Sequence, residues 1–393
     1  MATNIENNAV TTPPTTTDAE PPFDINAKAD IVLRSSDLVD FHVVKAFLIF
    51  TSPLFEGMFT LKQPLDGRSE GYKAGLAIIP MEEKSVTLGL LLLFCYPGNS
   101  PVLETLDDVL AVHAAASKYC MEEVEKRIHA ALLSSPLMEQ ESLRIFAIAM
   151  RHRWEVVARA GAKNTLMVPL HKRPRVEELK FLSGLEYHQL QDYHWKCGDA
   201  ASKVAKNFDG VLNDFRPDWV TRRGLGVFRP DMVTLLNQSD GHGNRSECSS
   251  VSITIAGLRY TTRQWWLDYM SEAGADLVIR PRGITVMEPA IVNKALERAT
   301  SCAVCRKSVI PGMKEFIAMF AAEVERVISE VSTGELSLME CTNYVVINFG
   351  VHLDRVGSPI LGCGHGMLCR QCGGTDGNVH VNRSYSFPET RWS

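Results

Sequence analysis

The chain has 393 residues, of which 45% are hydrophobic and 22% are charged, and its formal net charge is -5. This composition is ordinary for a globular protein, and the length allows more than one domain. The slightly acidic balance gives no electrostatic argument for binding nucleic acid or an anionic membrane surface. The longest apolar stretch, Val86–Tyr96, is much shorter than the ~20 residues that a membrane-spanning helix needs. We therefore expect neither a membrane nor a nucleic acid as partner.

The first 27 residues differ in amino-acid composition from the rest of the chain. Residues 1–27 are polar and interrupted by prolines, so we expect this segment to be disordered. It lacks the basic start and the apolar stretch of a signal peptide. Ten cysteines without a secretion signal indicate a reducing compartment, where they are thiols or metal ligands rather than disulfides. We expect the protein in the cytoplasm or the nucleus.

Strands and helices alternate from Asp30 onwards. Asp30–Arg34 and Phe41–Lys45 have the composition of short strands, and Ala46–Phe50 begins a helical stretch. Leu76–Ile79 predicts a further strand. The apolar run from Val86 to Tyr96 predicts a helix that ends at the following Pro-Gly pair.

The remainder of the chain has mainly helical periodicity. Thr105 and Asp108 have the spacing of a capping box at the start of a helix. Residues 169–178, which are charged and interrupted by prolines, predict a linker. Helical spacing returns over residues 188–208 and is clearest over residues 313–331, where one face is apolar. We therefore predict a helical bundle after the first strands and helices.

Several segments carry a family resemblance. Asp30-Ile-Val-Leu33, the pattern Phe41-x-Val43-x-Lys45-x-x-Leu48 and Ser52-Pro-Leu-Phe55-x-x-Met58-Phe59 occur in the order of the BTB/POZ domain and closely resemble it. Ile79-Pro-Met-Glu82 and Leu90–Pro97 fit the same module. Later features resemble the mushroom-type BTB proteins of fungi: Tyr193-His194-x-x-Cys197, Trp265-Trp266 and Cys302-x-x-Cys305. The resemblance covers about residues 28–332.

This resemblance implies an α/β BTB/POZ domain with a small sheet flanked by helices, followed by a mainly α-helical extension and a small zinc-stapled C-terminal region. We divide the chain into a disordered segment 1–27, a BTB/POZ domain 28–133, a helical extension 134–168, a mainly helical second domain with a zinc site 180–332, and an irregular tail 333–393.

The resemblance also has an implication for function, since BTB/POZ domains commonly form two-fold homodimers through apolar helical surfaces. The resemblance therefore implies a non-enzymatic scaffold that binds a second copy of itself and an unidentified client protein. Phe47, Phe50, Leu54 and Phe59 can supply the apolar surface, although any of them can instead belong to the core. We find no nucleophile elbow and no phosphate-binding loop, so we predict no catalytic residues and no enzymatic activity.

A substrate adaptor for a cullin-type ubiquitin ligase is a close alternative. Adaptors of this class tend to carry a hydrophobic-x-Glu motif shortly after the position of Phe59. This chain reads Leu61-Lys62-Gln63 there, with glutamine in place of the acid. The substitution weakens the prediction that a cullin is a partner.

Two pairs of residues predict a structural metal site. His194 and Cys197 share a helix face at i, i+3, and Cys302-x-x-Cys305 has the spacing with which two thiolates bind one tetrahedral zinc ion. Together they predict a closed Cys3His site, which is structural because it has no open position for a substrate. Cys248 is a substitute ligand. In the alternative interpretation, His194 lies on a helix surface and the CxxC segment is a turn without metal.

The tail contains a second group of possible ligands. Cys363, His365, Cys369 and Cys372 have a spacing that resembles the middle of a RING finger, so a RING-like ubiquitin ligase is a third hypothesis. Cys302 and Cys305 could be the first pair of such a domain, but the chain between Cys305 and Cys363 is longer than is usual there, and no further CxxC pair follows Cys372. We favour the interpretation that the tail is irregular, although its four possible ligands can hold one zinc ion by themselves.

Overall fold

The computed structural model describes residues 16–60, 71–98, 100–206, 248–255, 258–307 and 309–331. All of them belong to the first of two units, Met1–Glu340, and the second unit is Cys341–Ser393. Gln63 and the predicted tail ligands Cys363, His365, Cys369 and Cys372 lie outside the described residues. Among the described residues, no helix has both the length and the hydrophobicity needed to cross a membrane.

The N-terminal part is built on a mixed sheet with the strand order β1-β3-β2-β5-β4. The strands are β1 Thr17–Asp18, β2 Ile31–Arg34, β3 Val39–Val43, β4 Tyr72–Lys73 and β5 Leu76–Pro80. β2 and β3 form an antiparallel hairpin, whereas β2 pairs with β5 in parallel. Because β2 is central and carries fully buried apolar side chains, it anchors the sheet in the core.

The predicted disorder of residues 1–27 does not hold for residues 16–27. Strand β1 lies in this segment and pairs in parallel with β3. Phe23 is buried, and its ring lies 6.0 Å from that of Phe41 and 5.1 Å from that of Tyr96. The buried ring of Phe23 and the backbone pairing of β1 with β3 together attach this otherwise polar segment to the domain.

Helices surround the sheet. Helices α1 to α5 span Lys45–Thr51, Pro53–Thr60, Ser85–Cys95, Leu106–Lys118 and Glu122–Leu133. The side chain of Thr105 accepts a hydrogen bond from the backbone N–H of Asp108 at 3.1 Å, which confirms the predicted N-cap of α4. Ser52 caps α2, because its buried hydroxyl accepts from the backbone N–H of Phe55 and donates to the carbonyl of Tyr119. These caps fix where α2 and α4 begin.

A helical extension follows directly. Helices α6, α7 and α8 span Leu137–Gln140, Ser142–His152 and Glu155–Thr165. Arg153 ends α7 in the left-handed conformation, with φ of 58°, and turns the chain into α8. The two helices approach closely at Gly161, where a Cβ atom would lie 3.1 Å from the backbone nitrogen of Phe146.

The last described part is a helical unit that carries a β-hairpin. Helices α9 to α12 span Gly184–Lys206, Gln264–Ile279, Pro289–Thr300 and Val309–Glu330, and the hairpin consists of β6 Ser250–Ile255 and β7 Leu258–Arg263. Trp265 and Trp266 are buried, and the ring of Trp266 lies 5.4 Å from that of Phe316 on α12. Aromatic packing between α10 and α12 therefore forms the centre of this unit.

A charged network joins the extension to the helical unit. Glu325 on α12 forms ion pairs of 2.9 Å with both Lys163 on α8 and Arg282. Burial opposes the charge of Glu325, but the hydrogen bonds from Lys163 and Arg282 lower the pKa of its carboxyl group to about 2. The Arg282 guanidinium also donates to the carbonyl oxygen of Lys163 at 3.3 Å. These contacts hold α8 and α12 in one arrangement.

Candidate functional site

Phe50 is the most exposed of the apolar residues predicted to form an interaction surface. It lies near the end of α1, and 90% of its surface is exposed. Its neighbour Phe47, one turn earlier, is half-buried, with its ring 4.5 Å from that of Tyr96. The structure therefore divides these two phenylalanines, one packed on the domain and one presented to solvent.

The other two predicted surface residues lie on α2 and are partly buried. Leu54 and Phe59 pack against the hydrophobic core, and the ring of Phe59 stacks on that of Phe55 at 5.7 Å. The ammonium group of Lys45 lies 5.7 Å from the centre of the Phe59 ring, within cation–π range. Of the four predicted residues, Phe50 alone has most of its surface available to a partner.

Three cysteines form a thiol cluster at the edge of the helical unit. The sulfur atoms of Cys248, Cys302 and Cys305 all lie within 4.8 Å of one another, and those of Cys248 and Cys305 are 3.5 Å apart. Cys248 precedes the β-hairpin, whereas Cys302 and Cys305 lie in the turn between α11 and α12. The backbone N–H of Arg306 donates to the carbonyl of Cys302 at 3.0 Å and tightens this turn. The cluster thus joins two segments that are 57 residues apart in sequence.

The spacing of these sulfur atoms suits a metal ion. Zinc–sulfur bonds of about 2.3 Å in tetrahedral geometry place the sulfur atoms about 3.8 Å apart. The 3.5 Å between the sulfur atoms of Cys248 and Cys305 is close to this value, and the sulfur of Cys302 lies within 4.8 Å of both, so the three cysteines could bind a metal. Two of the three thiols are buried, which excludes competing water from most of the site.

The surroundings of the three cysteines shift the pKa values of their thiols in different directions. Burial raises the pKa of the Cys305 thiol to about 12, and burial also raises that of Cys248. Burial acts against the thiolate of Cys302 too, but backbone N–H groups of Cys305 and Val304 hold the pKa of this thiol below its ordinary value. The buried guanidinium of Arg263 donates to the carbonyl of Cys248 at 3.4 Å. A cation that replaces the protons of the buried thiols would therefore bind more strongly as the pH rises.

His194, predicted as a ligand together with Cys302 and Cys305, is not part of the thiol cluster. Its Nδ1 accepts a hydrogen bond of 3.0 Å from Arg173, because a guanidinium can only donate. Its Nε2 therefore carries the proton and donates to the carbonyl of Ile279 at 2.9 Å. Burial and the charge of Arg173 lower the pKa of His194 to about 4. The neutral imidazole thus joins the linker to the end of α10.

Cys197 is also outside the cluster and lies in the core. It is fully buried on α9 beside Tyr193, and burial raises the pKa of its thiol to about 11. The i, i+3 spacing correctly indicates that His194 and Cys197 share a helix turn, but that turn packs against α10 rather than against the CxxC turn. Cys248, which the sequence suggests only as a substitute ligand, lies beside Cys302 and Cys305 instead.

The fold and sequence of the N-terminal part match a known family. The family model of the BTB/POZ domain matches residues 22–136. The chain carries a BTB/POZ domain. No match was found among curated proteins. The predicted resemblance to the BTB/POZ domain is thereby confirmed over residues 22–136, a range that includes Phe23.

The BTB/POZ match indicates the general role of the chain. Domains of this family are generally non-enzymatic modules for protein–protein interaction, so the match indicates an interaction scaffold. It covers less than half of the chain and includes α1 to α5 but not the thiol cluster. The two features of interest, Phe50 and the thiol cluster, therefore belong to different parts of the molecule.

Proposed function

We propose that the protein is a self-associating scaffold whose BTB/POZ domain forms a two-fold homodimer through α1, with Phe50 at the contact. The exposed ring of Phe50 carries this proposal. A fully exposed phenylalanine is costly in water, and its burial is worth about 1.5–3 kcal/mol. In a two-fold interface the same residue is buried once on each copy, so the gain is doubled.

A comparison of two matched variants tests this proposal. Phe50→Glu places a charge on the proposed contact, whereas Val156→Glu places the same charge at an exposed valine on α8, outside the matched domain. We expect Phe50→Glu to shift the dimer towards monomer by at least about 100-fold in Kd, since about 3 kcal/mol of burial is lost. Val156→Glu should leave the Kd unchanged. Equal Kd values for both variants and the native chain would reject α1 as the contact.

We also propose that the cofactor is a structural zinc ion bound by the thiol cluster. Soft thiolate ligands favour zinc, and the three thiolates would fill three of its four tetrahedral positions. We assign the ion a structural role because it would join two segments of the chain that are distant in sequence. The buried positive charge of Arg263 beside Cys248 supports the proposal, because three thiolates and one Zn²⁺ carry a net negative charge.

Metal analysis of two substituted chains separates this site from the tail. Cys248→Ser should lower the zinc content of the purified chain from about one ion to well below one. Combined substitution of Cys363, Cys369 and Cys372 by serine should leave the zinc in place. The opposite pattern would assign the metal to the tail and would favour the RING-like ubiquitin ligase.

A cullin adaptor and a self-associating scaffold differ in one binding measurement. We expect no heat when the full chain is titrated with the N-terminal domain of a BTB-binding cullin, because glutamine occupies position 63. Micromolar or tighter binding would instead make the chain a ubiquitin-ligase adaptor.

In either case the client protein would bind outside α1, and we expect the scaffold to act in the cytoplasm or nucleus. A mushroom-type fungal origin is part of the same proposal.

A further inference from the structure

The three thiols of the cluster differ in their access to solvent. Cys302 is partly exposed, whereas Cys248 and Cys305 are only 8% and 1% exposed. A small oxidant in solution therefore meets the sulfur of Cys302 first. Both buried sulfur atoms lie within 4.8 Å of it, close enough to react with an oxidised Cys302 after a small side-chain movement.

Metal binding and disulfide formation compete for the same sulfur atoms, so one excludes the other. A disulfide requires a sulfur–sulfur distance of about 2.05 Å, well below the 3.5 Å between Cys248 and Cys305 and below the separation that a shared zinc ion imposes. Two sulfur atoms that are bonded to each other are no longer thiolates and lose most of their affinity for zinc. The cluster can therefore hold either a metal or a disulfide.

We propose that peroxide oxidation of Cys302 converts the thiol cluster from a zinc site into a disulfide and releases the metal. This inference rests on the zinc site proposed above. The Cys302 thiolate attacks one peroxide oxygen, the O–O bond breaks, and hydroxide leaves and takes up a proton to form water. The sulfur of Cys248 or Cys305 then attacks the resulting sulfenic acid, so that an S–S bond forms and a second water leaves. Two thiols lose two electrons, and the peroxide gains them.

The consequence is the loss of a cross-link within the helical unit. Zinc bound by all three thiolates ties the entrance of the β-hairpin to the turn before α12, and closure of a long loop stabilises the folded chain. A disulfide between Cys302 and Cys305 lies within one turn and removes this tie. A disulfide that includes Cys248 keeps the tie but still expels the metal. In both cases the site responds to oxidants.

The test uses the full chain, purified reduced and without chelators. Hydrogen peroxide is added stepwise in the presence of a chromogenic zinc chelator, and disulfides are located by peptide mass mapping. We expect one zinc ion to be released for each disulfide formed, with Cys302 in that disulfide, and dithiothreitol with added zinc to restore the site. Cys95→Ala and Cys197→Ala, which remove buried thiols elsewhere, should release zinc at the rate of the native chain.

Two negative results have different meanings. Zinc that stays bound while Cys302 is oxidised, or a released ion with no disulfide at these cysteines, would overturn the redox inference and leave the zinc site intact as a proposal. Reduced chain that contains no zinc, with Cys248→Ser unchanged in metal content, would reject the zinc proposal itself and this inference with it.

Discussion

A cluster of histidines where the BTB/POZ domain meets the helical extension predicts a pH-dependent stability. The ring of His113 lies 5.1 Å from that of His129 and 4.4 Å from that of Trp154, and Trp154 also stacks on His152 at 5.0 Å. Within the described part of the chain, the buried Nε2 atoms of His113 and His129 have no hydrogen-bond partner. Burial, followed by repulsion from the other two histidines, lowers the pKa of His113 from 6.5 to about 4.

The sign of the effect follows from proton binding. The folded protein holds His113 neutral down to about pH 4, whereas the unfolded chain protonates it near pH 6.5. The contribution of this residue is therefore complete above pH 6.5 and is lost as the pH falls from 6.5 towards about 4. One pKa unit corresponds to about 1.4 kcal/mol. Because His113 is only partly buried, we discount the full shift for solvent screening and expect a loss of about 1–2 kcal/mol.

Urea unfolding at several pH values measures this loss. We compare the native chain with His113→Phe, which keeps an aromatic ring in the cluster but cannot take up a proton. Between pH 7.5 and pH 4.5, the native chain should lose about 1–2 kcal/mol more than the variant. His171→Phe, at an exposed histidine of the linker, should behave as the native chain. Equal pH dependence in the native chain and in His113→Phe would refute the reasoning.

Three further predictions concern packing and polar contacts, each read from urea midpoints at neutral pH. Gly198→Ala would place a methyl group 2.6 Å from the carbonyl oxygen of Val278 and should cost about 1–3 kcal/mol, whereas Gly184→Ala meets nothing within 4 Å and should be tolerated. Glu325→Gln removes the shared carboxylate of the charged network and should cost about 1–3 kcal/mol; an unchanged midpoint would show that this network contributes nothing. Thr105→Ala should cost about 1 kcal/mol, and this loss should disappear if serine replaces the threonine instead.

Most elements of the BTB/POZ domain could be predicted from the sequence because they have a local signal, whereas the two-residue strands β1 and β4 have none. A run of β-branched and aliphatic residues marks β2, alternating apolar residues mark β3, and the capping pair Thr105 and Asp108 marks the start of α4. The contribution of Phe23 could not be predicted in the same way. One aromatic residue in a polar segment has no periodicity, and its burial depends on Phe41 and Tyr96, which are distant in sequence.

The metal-binding candidates were predicted only in part, for a geometric reason. The CxxC spacing predicts that Cys302 and Cys305 lie in one turn, and the structure brings their sulfur atoms together. Spacing along a helix cannot show which other element its face contacts. His194 therefore binds Arg173 and the backbone of Ile279 in place of the metal site. The third cysteine reaches the cluster through the fold of the hairpin, which no local pattern encodes.

The interaction surface shows the same limit. Phe47 and Phe50 are one helical turn apart and equally hydrophobic, so the sequence could not distinguish them. The structure does so because Tyr96 covers Phe47 and nothing within the described residues covers Phe50 to a comparable degree. Exposure depends on neighbours that come from other parts of the chain.

Sedimentation velocity of the native full chain tests the central claim, self-association through the BTB/POZ domain, most directly. The mass of one chain is 43.6 kDa. We predict a species of twice this mass at micromolar concentration, which dissociates on dilution and is absent from Phe50→Glu. A single species of one chain mass over the whole concentration range would contradict the account.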